Sequence, residues 1–293
     1  MWSELKIKVS SENALLVEEE LFSSGAAVVT FLDADNQPIY AEDTDKTPLW
    51  TDICIVSLFP QDVDLGPICR SLVHNQPAIN SSDIEIHLLK DQDWVNKWMS
   101  DIKPQQFGNR LWIYPSWITP SKISVTNMIL DPGLAFGTGS HPTTSLCLNW
   151  LDLNLRQSQH IIDYGCGSGI LAIAAALLGA SKVYAVDNDP QAITATLSNL
   201  KKNRISNQLI QTFLPEALPR VEADLLIANI LANPLLQLSK IFLNLIKPSG
   251  KIVLSGILEE QVEKIVYHYK SQFEFEDPQL NDGWALIAGS RRD

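Results

Sequence analysis

The residues best suited to chemistry are acids, glycines and an amide that recur at the ends of apolar runs. Residues 163–169 read Asp-Tyr-Gly-Cys-Gly-Ser-Gly, between one apolar run and another. Glycines let the backbone turn sharply and let a ligand approach closely, because they carry no Cβ. In an open α/β sheet such a loop lies at the carboxyl ends of the strands, where ligands bind. The sequence therefore predicts a cofactor site around Gly165 and Gly167.

The spacing of these glycines distinguishes two kinds of cofactor. Dinucleotide sites favour Gly-x-Gly-x-x-Gly, but the third position counted from Gly165 falls here on Ile170. A carboxylate at Asp163 would repel a pyrophosphate, whereas it would attract the ammonium of a cofactor that carries an amino acid. The loop resembles motif I of the S-adenosylmethionine methyltransferases, and S-adenosylmethionine is the cofactor that we expect.

A second acid and an asparagine end two later apolar runs. Asp187 lies 22 residues after Gly165, where an acid can accept hydrogen bonds from both ribose hydroxyls. The alternative is a helix cap, and we assign that role to Asp189. Asn229 ends the run 224–228. Its carbonyl can accept a hydrogen bond from an amine and direct the lone pair at a methyl carbon; the alternative is a plain turn residue.

The first third of the chain predicts a small α+β domain. Its order of elements is β-α-β-β-α-β, which is typical of a ferredoxin-like fold. We expect Ser11 to cap the first helix. The strands are expected at 2–9, 26–32, 50–59 and 84–88, the helices at 11–22 and 65–74, and a turn at 33–36.

Later in the chain, strands and helices alternate, which predicts a parallel sheet with helices on both faces. We expect a Rossmann-like α/β domain of the class I methyltransferase type over 126–293, preceded by a linker over 101–125. The ferredoxin-like domain occupies 1–100, and a connecting helix over 91–102 carries Trp94 and Trp98 on one face.

The distribution of charge restricts the partners. The net charge is −12, and residues 1–100 hold six basic and 17 acidic residues, a net charge of −11. An acidic surface repels nucleic acid and attracts basic partners, although a merely solubilising surface is the alternative.

The start of the chain lacks a signal-peptide pattern, and the longest apolar run, 170–178, is about half a membrane span. We therefore expect a cytoplasmic protein that binds no membrane. The cysteines show no metal spacing, so no metal site is expected.

A long string ahead of the glycine loop carries the family resemblance. Residues 131–145 read DPGLAFGTGSHPTTS. Together with the strings at 163–175 and 228–234, they make the chain closely resemble the ribosomal protein L-eleven methyltransferases (the PrmA family) over its whole length. The resemblance implies methylation of lysine ε-amines and of the N-terminal α-amine of that basic ribosomal protein. It also implies that the substrate docks on the ferredoxin-like N-terminal domain. The acidic charge of that domain disfavours direct nucleic-acid binding, and a monomer is the default expectation.

The resemblance also assigns roles to single residues. The family's cofactor contacts fall on Thr144, Gly165, Asp187 and Asn229. Phe136 is expected as a lid over the adenine or the acceptor, with a core role as the alternative. His141 is a candidate general base, with structural hydrogen bonding as the alternative. We expect Phe136, Trp112 and Trp117 to supply apolar walls around the acceptor.

Three other functions compete with this interpretation. A nucleic-acid amino-group methyltransferase typically shows Pro-Pro and an aromatic after the asparagine, to stack on a flipped base. Here Ile230 and Leu231 follow Asn229 instead, and the acidic first third disfavours phosphate binding. A non-catalytic binding module is disfavoured by the intact acids, and a nicotinamide dehydrogenase by the glycine spacing.

Overall fold

The computed structural model describes residues 2–34, 50–89, 102–121, 125–131 and 141–292. The chain divides into two compact units, Met1–Met99 and Ser100–Asp293, and each is described by itself. The helix expected over 91–102 lies outside the described residues except for Ile102, the turn expected at 33–36 lies partly outside them, and Phe136 lies wholly outside them.

In its described residues, the N-terminal unit is a four-stranded antiparallel sheet with two α-helices. The spatial order of its strands is β2-β3-β1-β4. This arrangement confirms the ferredoxin-like fold predicted from the order of elements. Its elements are β1 Trp2–Ser10, α1 Ser11–Ser23, β2 Val28–Asp33, β3 Asp52–Pro60, α2 Leu65–Asn75 and β4 Ile84–Leu89.

Period-two burial explains this sheet. Leu5 and Ile7 alternate along β1 with more exposed neighbours and are fully buried, since successive strand residues point to opposite faces. α1 buries Val17 and Leu21 at helical spacing. The expected cap is shifted by one residue: Ser11 is the first helical residue, and Ser10 occupies the cap position without a side-chain cap bond.

The second unit is built on one large mixed sheet with the order β10-β9-β8-β11-β12-β15-β13, to which β14 adds beside β15. Strands β8 to β12 run parallel, and β15 is antiparallel to β12. The elements are β5 Gln105–Phe107, β6 Leu111–Tyr114, β7 Thr126–Ile129, α3 Pro142–Asn154, β8 His160–Tyr164, α4 Ile170–Leu177, β9 Lys182–Val186, α5 Pro190–Lys202, β10 Ile210–Phe213, β11 Ala223–Asn229, α6 Ala232–Leu245, β12 Ile246–Leu258, α7 Val262–Tyr269, β13 Phe273–Phe275, β14 Gln279–Asn281 and β15 Trp284–Arg291.

The centre of this sheet positions the site. Strands β8 and β11 are neighbours, and β9 lies on the other side of β8. The chain therefore leaves β8 in one direction across the sheet and later returns to its other side, which makes a topological switch point where ligands bind. Both faces are covered: Ile161 and Ile227 belong to one apolar core, and Ile162 and Leu226 to the other. This confirms the Rossmann-like fold.

Part of the segment expected to be a linker forms strands of the second unit. β5, β6 and β7 make a small sheet of their own. The turn between β5 and β6 is held by α3, because the Asp152 carboxylate accepts the Asn109 N–H at 2.7 Å and Asn149 Oδ1 accepts the Gly108 N–H at 2.6 Å. Residues 105–114 thus pack as structure rather than as a flexible connection.

Among the described helices, none is long and apolar enough to cross a membrane.

Candidate active site

The glycine loop follows β8 directly and reaches conformations that favour glycine. Gly165, Gly167 and Gly169 have φ values of 83°, 53° and 78°, in the left-handed region where a Cβ is disfavoured. A Cβ on Gly165 would lie 2.3 Å from Ile230 Cγ2, and one on Gly169 would lie 2.8 Å from Thr196 Oγ1. The loop can therefore offer its bare backbone to a ligand only while these positions are glycine.

Asp163 ends β8 with a fully buried carboxylate. Its Oδ2 accepts the Ala172 N–H of α4 at 2.9 Å, while its Oδ1 has no hydrogen-bond partner among the described residues. Burial, with a smaller contribution from the nearby negative Asp187, raises the pKa of this carboxyl from 3.8 to about 7, although the Ala172 N–H lowers it. A buried carboxylate with an unsatisfied oxygen is stabilised by a cation brought near it, which fits the ammonium of an amino-acid cofactor. Because the side chain is closed to solvent, its charge acts from behind the loop.

Asp187 directly follows β9 and forms a hydrogen bond to the glycine loop. Its Oδ2 accepts the Gly167 N–H at 2.8 Å, and its Oδ1 accepts the Asp189 N–H at 3.0 Å. An ionised carboxylate has about four acceptor positions, so two remain for ribose hydroxyls. Asp189 Oδ1 accepts the Gln191 N–H at 2.8 Å and caps α5, as predicted. Asp189 therefore serves as the helix cap, which leaves Asp187 available for a ribose.

Two residues of α5 that the sequence did not single out hold the same loop from behind. Thr196 Oγ1 donates to the Gly167 carbonyl at 3.0 Å, and Asn199 Nδ2 donates to the Ser168 carbonyl at 2.9 Å. Both side chains are buried. Because Asp187 accepts the Gly167 N–H and Thr196 donates to the Gly167 carbonyl, both backbone polar groups of Gly167 are hydrogen-bonded. In the sequence, the signal for this role was that two polar residues, Thr196 and Asn199, lie three positions apart on the buried face of an amphipathic helix.

Asn229 is the last residue of β11, beside β8 in the sheet. Its Nδ2 donates to Thr144 Oγ1 at 3.4 Å, and Thr144 is fully buried on α3. With the carboxamide in this orientation, Oδ1 is the acceptor atom left for a substrate amine. The structure thus brings together Thr144 and Asn229, which lie 85 residues apart in the sequence.

His141 caps α3, and its ring lies close to that of Trp284. His141 Nδ1 accepts the Thr143 N–H at 3.3 Å and lies 2.7 Å from Thr143 Oγ1. The imidazole meets the indole of Trp284 edge to face, with centroids 4.9 Å apart. Burial lowers the pKa of His141, so the ring is neutral at neutral pH.

A largely apolar cavity of about 440 Å³ lies beside Asn229, His141 and Trp284. The indole that lines it is that of Trp284, rather than those of Trp112 and Trp117 that we expected. Instead, Trp112 lies on β6 with its ring 6.1 Å from that of Tyr114. The described lining consists of His141, Thr143, Asn229, Ile230, Leu231, Pro234, Gly256 and Trp284.

The arrangement suits group transfer by positioning. Within the described ranges, no group of three or more His, Cys, Asp or Glu side chains is placed to hold a metal ion. The site offers a backbone cradle at Gly165, an acid suited to a ribose, a buried acid suited to an ammonium, and an amide beside an apolar cavity. A Rossmann-like domain with this site is a class I S-adenosylmethionine-dependent methyltransferase.

Comparison with known proteins gives the family. The family model described as "Ribosomal protein L11 methyltransferase (PrmA)" matches residues 1–292. A protein of that name from Pseudomonas putida (strain W619) is 42% identical over 294 residues, 99% of each chain. One from Hahella chejuensis is 43% identical over 290 residues, 99% of this chain and 98% of that protein. The solved ribosomal protein L11 methylase from Lactobacillus delbrueckii subsp. bulgaricus is 32% identical with a TM-score of 0.60, covering 66% of this chain and 100% of that one.

The chain belongs to the ribosomal protein L11 methyltransferase family, and it is an S-adenosylmethionine-dependent protein methyltransferase. This membership does not favour the alternative of a nucleic-acid amino-group methyltransferase.

Proposed function

We propose that this protein transfers methyl groups from S-adenosylmethionine to lysine ε-amines and to the N-terminal α-amine of ribosomal protein L11. The observation that carries the proposal is the position of Asn229. It ends a central strand, holds its Nδ2 against Thr144, and lines an apolar cavity that adjoins the glycine loop. An amide oxygen in that place suits an amine acceptor, because it accepts one N–H and leaves the nitrogen lone pair to attack.

The cofactor contacts follow from the fit of the loop. Gly165 and Gly167 give close backbone approach, Asp187 receives the ribose hydroxyls, and Asp163 supplies negative charge behind the loop for the ammonium. Thr144 lies where the carboxamide of Asn229 meets α3, so it acts on the cofactor side of the same site. When bound, S-adenosylmethionine supplies an electrophilic methyl carbon on a sulfonium, an excellent leaving group.

The remaining chemical task of the protein is to hold a neutral amine. A lysine amine has a pKa of about 10.4 in water, and an apolar surrounding lowers that pKa because it disfavours the charged form. The cavity beside Asn229 provides such a surrounding. An amine that enters deprotonated needs no base for the displacement, and the cap on α3 accounts for the position of His141. A catalytic role for His141 stays a prediction.

The N-terminal unit is the proposed docking site for the substrate. Its charge of −11 over residues 1–100 attracts a basic ribosomal protein and repels phosphates. In this proposal the enzyme is a cytoplasmic monomer that binds its protein substrate and does not bind nucleic acid directly. Deletion of residues 1–100 should preserve cofactor binding and abolish methylation of L11.

Replacing Asn229 tests the proposal. Asn229→Ala should lower kcat for L11 methylation about 10²-fold, the effect of losing reactant orientation, and change cofactor Kd by less than about threefold. Asn207→Ala is the matched control, because Asn207 is exposed and precedes β10 at the amino edge of the sheet. Turnover would be followed with labelled methyl donor, and Kd by calorimetry. Equal losses in kcat and in cofactor affinity would contradict the acceptor role.

A further inference from the structure

The acceptor cavity is separated from the cofactor loop by one side chain. Ile230 lines the cavity, and its Cγ2 lies where a Cβ on Gly165 would meet it, at 2.3 Å. The backbone of Ile230 is equally close to Gly256, where an added Cβ would lie 2.5 Å from the Ile230 carbonyl oxygen. Ile230 therefore packs closely against both glycines and lies between the cavity and the glycine loop.

The position of Trp284 in this cavity is also fixed by the backbone. Asn281 pairs with Trp284 across the β14–β15 hairpin, so only Asp282 and Gly283 form the turn. Both have positive φ values, 48° and 75°, as in the two-residue type I′ turn that matches the twist of a hairpin. Trp284 is the first residue of β15 and meets His141 edge to face. Its indole is thus held by a tight hairpin on one side and by a helix cap on the other.

The lining of the cavity selects a chemical class of acceptor. Among its described lining residues none is acidic, and the polar groups are those of His141, Thr143 and Asn229. With no carboxylate to neutralise an ammonium, the cavity favours an uncharged amine on an aliphatic chain. Each methylene transferred from water to an apolar contact contributes about 0.8 kcal/mol, which is about a fourfold gain in binding.

We propose that Trp284 determines acceptor specificity, because its indole packs against the aliphatic chain of a lysine whose amine faces Asn229. This inference rests on the proposed function. A lysine ε-amine carries four methylenes, while the N-terminal α-amine has no such chain. The indole therefore contributes to ε-amine methylation and little to α-amine methylation. Loss of the contact with two methylenes, at about fourfold each, lowers kcat/KM for lysine by roughly one order of magnitude.

The two amine types of one substrate give an internal comparison. Trp284→Ala, Trp284→Phe and the wild type would each be incubated with L11 and S-adenosylmethionine, and methylation at every amine would be followed by mass spectrometry of peptides. We expect Trp284→Ala to lower kcat/KM at lysines about tenfold and at the α-amine less than threefold. Trp284→Phe should restore most lysine activity, because a planar ring remains. Cofactor Kd should be unchanged in both variants.

The outcomes separate this inference from the proposed function. Wild-type protein that methylates neither kind of amine would refute the proposed function itself. If the wild type is active but Trp284→Ala loses activity equally at both kinds of amine, or loses none, the specificity role of the indole would be overturned. If Trp284→Ala does not fold, a comparison of Trp284→Phe with Trp284→Leu tests the specificity role of the indole. Leucine keeps apolar volume without a ring, so the lysine-to-α-amine ratio should fall from Phe to Leu.

Discussion

Replacing Asp163 by asparagine should remove a pH-dependent destabilisation of the fold. Burial raises the pKa of this carboxyl from 3.8 to about 7, so the native state resists its ionisation. Its contribution to stability is fully present below the unfolded pKa and is lost as the pH rises through about 7. At 1.36 kcal/mol for each pKa unit, the whole loss is about 4 kcal/mol, and roughly 3 kcal/mol of it falls between pH 5 and pH 8.

Urea unfolding at a series of pH values measures this contribution. The free energy of unfolding of Asp163→Asn minus that of the wild type should increase by roughly 3 kcal/mol from pH 5 to pH 8. Asp224→Asn is a control of opposite sign. Lys247 at 2.7 Å and the His160 N–H at 2.7 Å outweigh partial burial and lower the pKa of Asp224. That variant should therefore be less stable than the wild type by an amount that stays constant from pH 5 to pH 8, because this contribution is lost only as the pH falls below about 4.

Cofactor binding links this titration to function. S-adenosylhomocysteine carries the amino-acid ammonium of the cofactor, and a cation near Asp163 lowers the carboxyl pKa. Saturating S-adenosylhomocysteine should therefore flatten the pH dependence of wild-type stability above pH 6, and it should bind Asp163→Asn more weakly. Parallel stability curves for the wild type and Asp163→Asn over pH 5 to 8 would refute the assignment of a raised pKa to this residue.

Two further substitutions test how the glycine loop is held. Gly165→Ala should weaken cofactor binding at least tenfold by calorimetry, because it adds a clash with Ile230 to the strain of a positive φ; Gly283→Ala, with a similar φ of 75° and nothing within 4 Å of its Cβ, should leave binding unchanged. Thr196→Val removes the donor to the Gly167 carbonyl at nearly constant volume and should raise cofactor Kd about tenfold, while Thr196→Ser should restore it. Equal affinities in the Val and Ser variants would show that this hydrogen bond does not position the loop.

The strand ends at the centre of the large sheet could be predicted from the sequence for a physical reason. Buried parallel strands are continuous apolar runs, and their ends are marked by the first polar residue. Asp163, Asp187 and Asn229 each occupy such an end in the structure. Glycines that need a positive φ are visible from their type alone, so the loop at 165–169 was also predictable.

The parts that the sequence did not reveal depend on contacts between distant residues. β10 buries only its first residue, Ile210, so its alternation is weak. α3 begins at Pro142, because His141 caps it and proline is tolerated in a first turn. The sequence did not single out Trp284, since its nearness to His141 arises from the fold and not from sequence spacing.

The most direct test of the central claim is to give the enzyme a choice of acceptors. Dissociated large ribosomal subunits, containing all of their proteins and RNA, would be incubated with wild-type enzyme and labelled S-adenosylmethionine, and then separated. Label should enter L11 on amine nitrogens, and Asn229→Ala should lower its rate of incorporation about 10²-fold while Asn207→Ala should not. Label in RNA, or label in L11 that persists in Asn229→Ala at the wild-type rate, would contradict it.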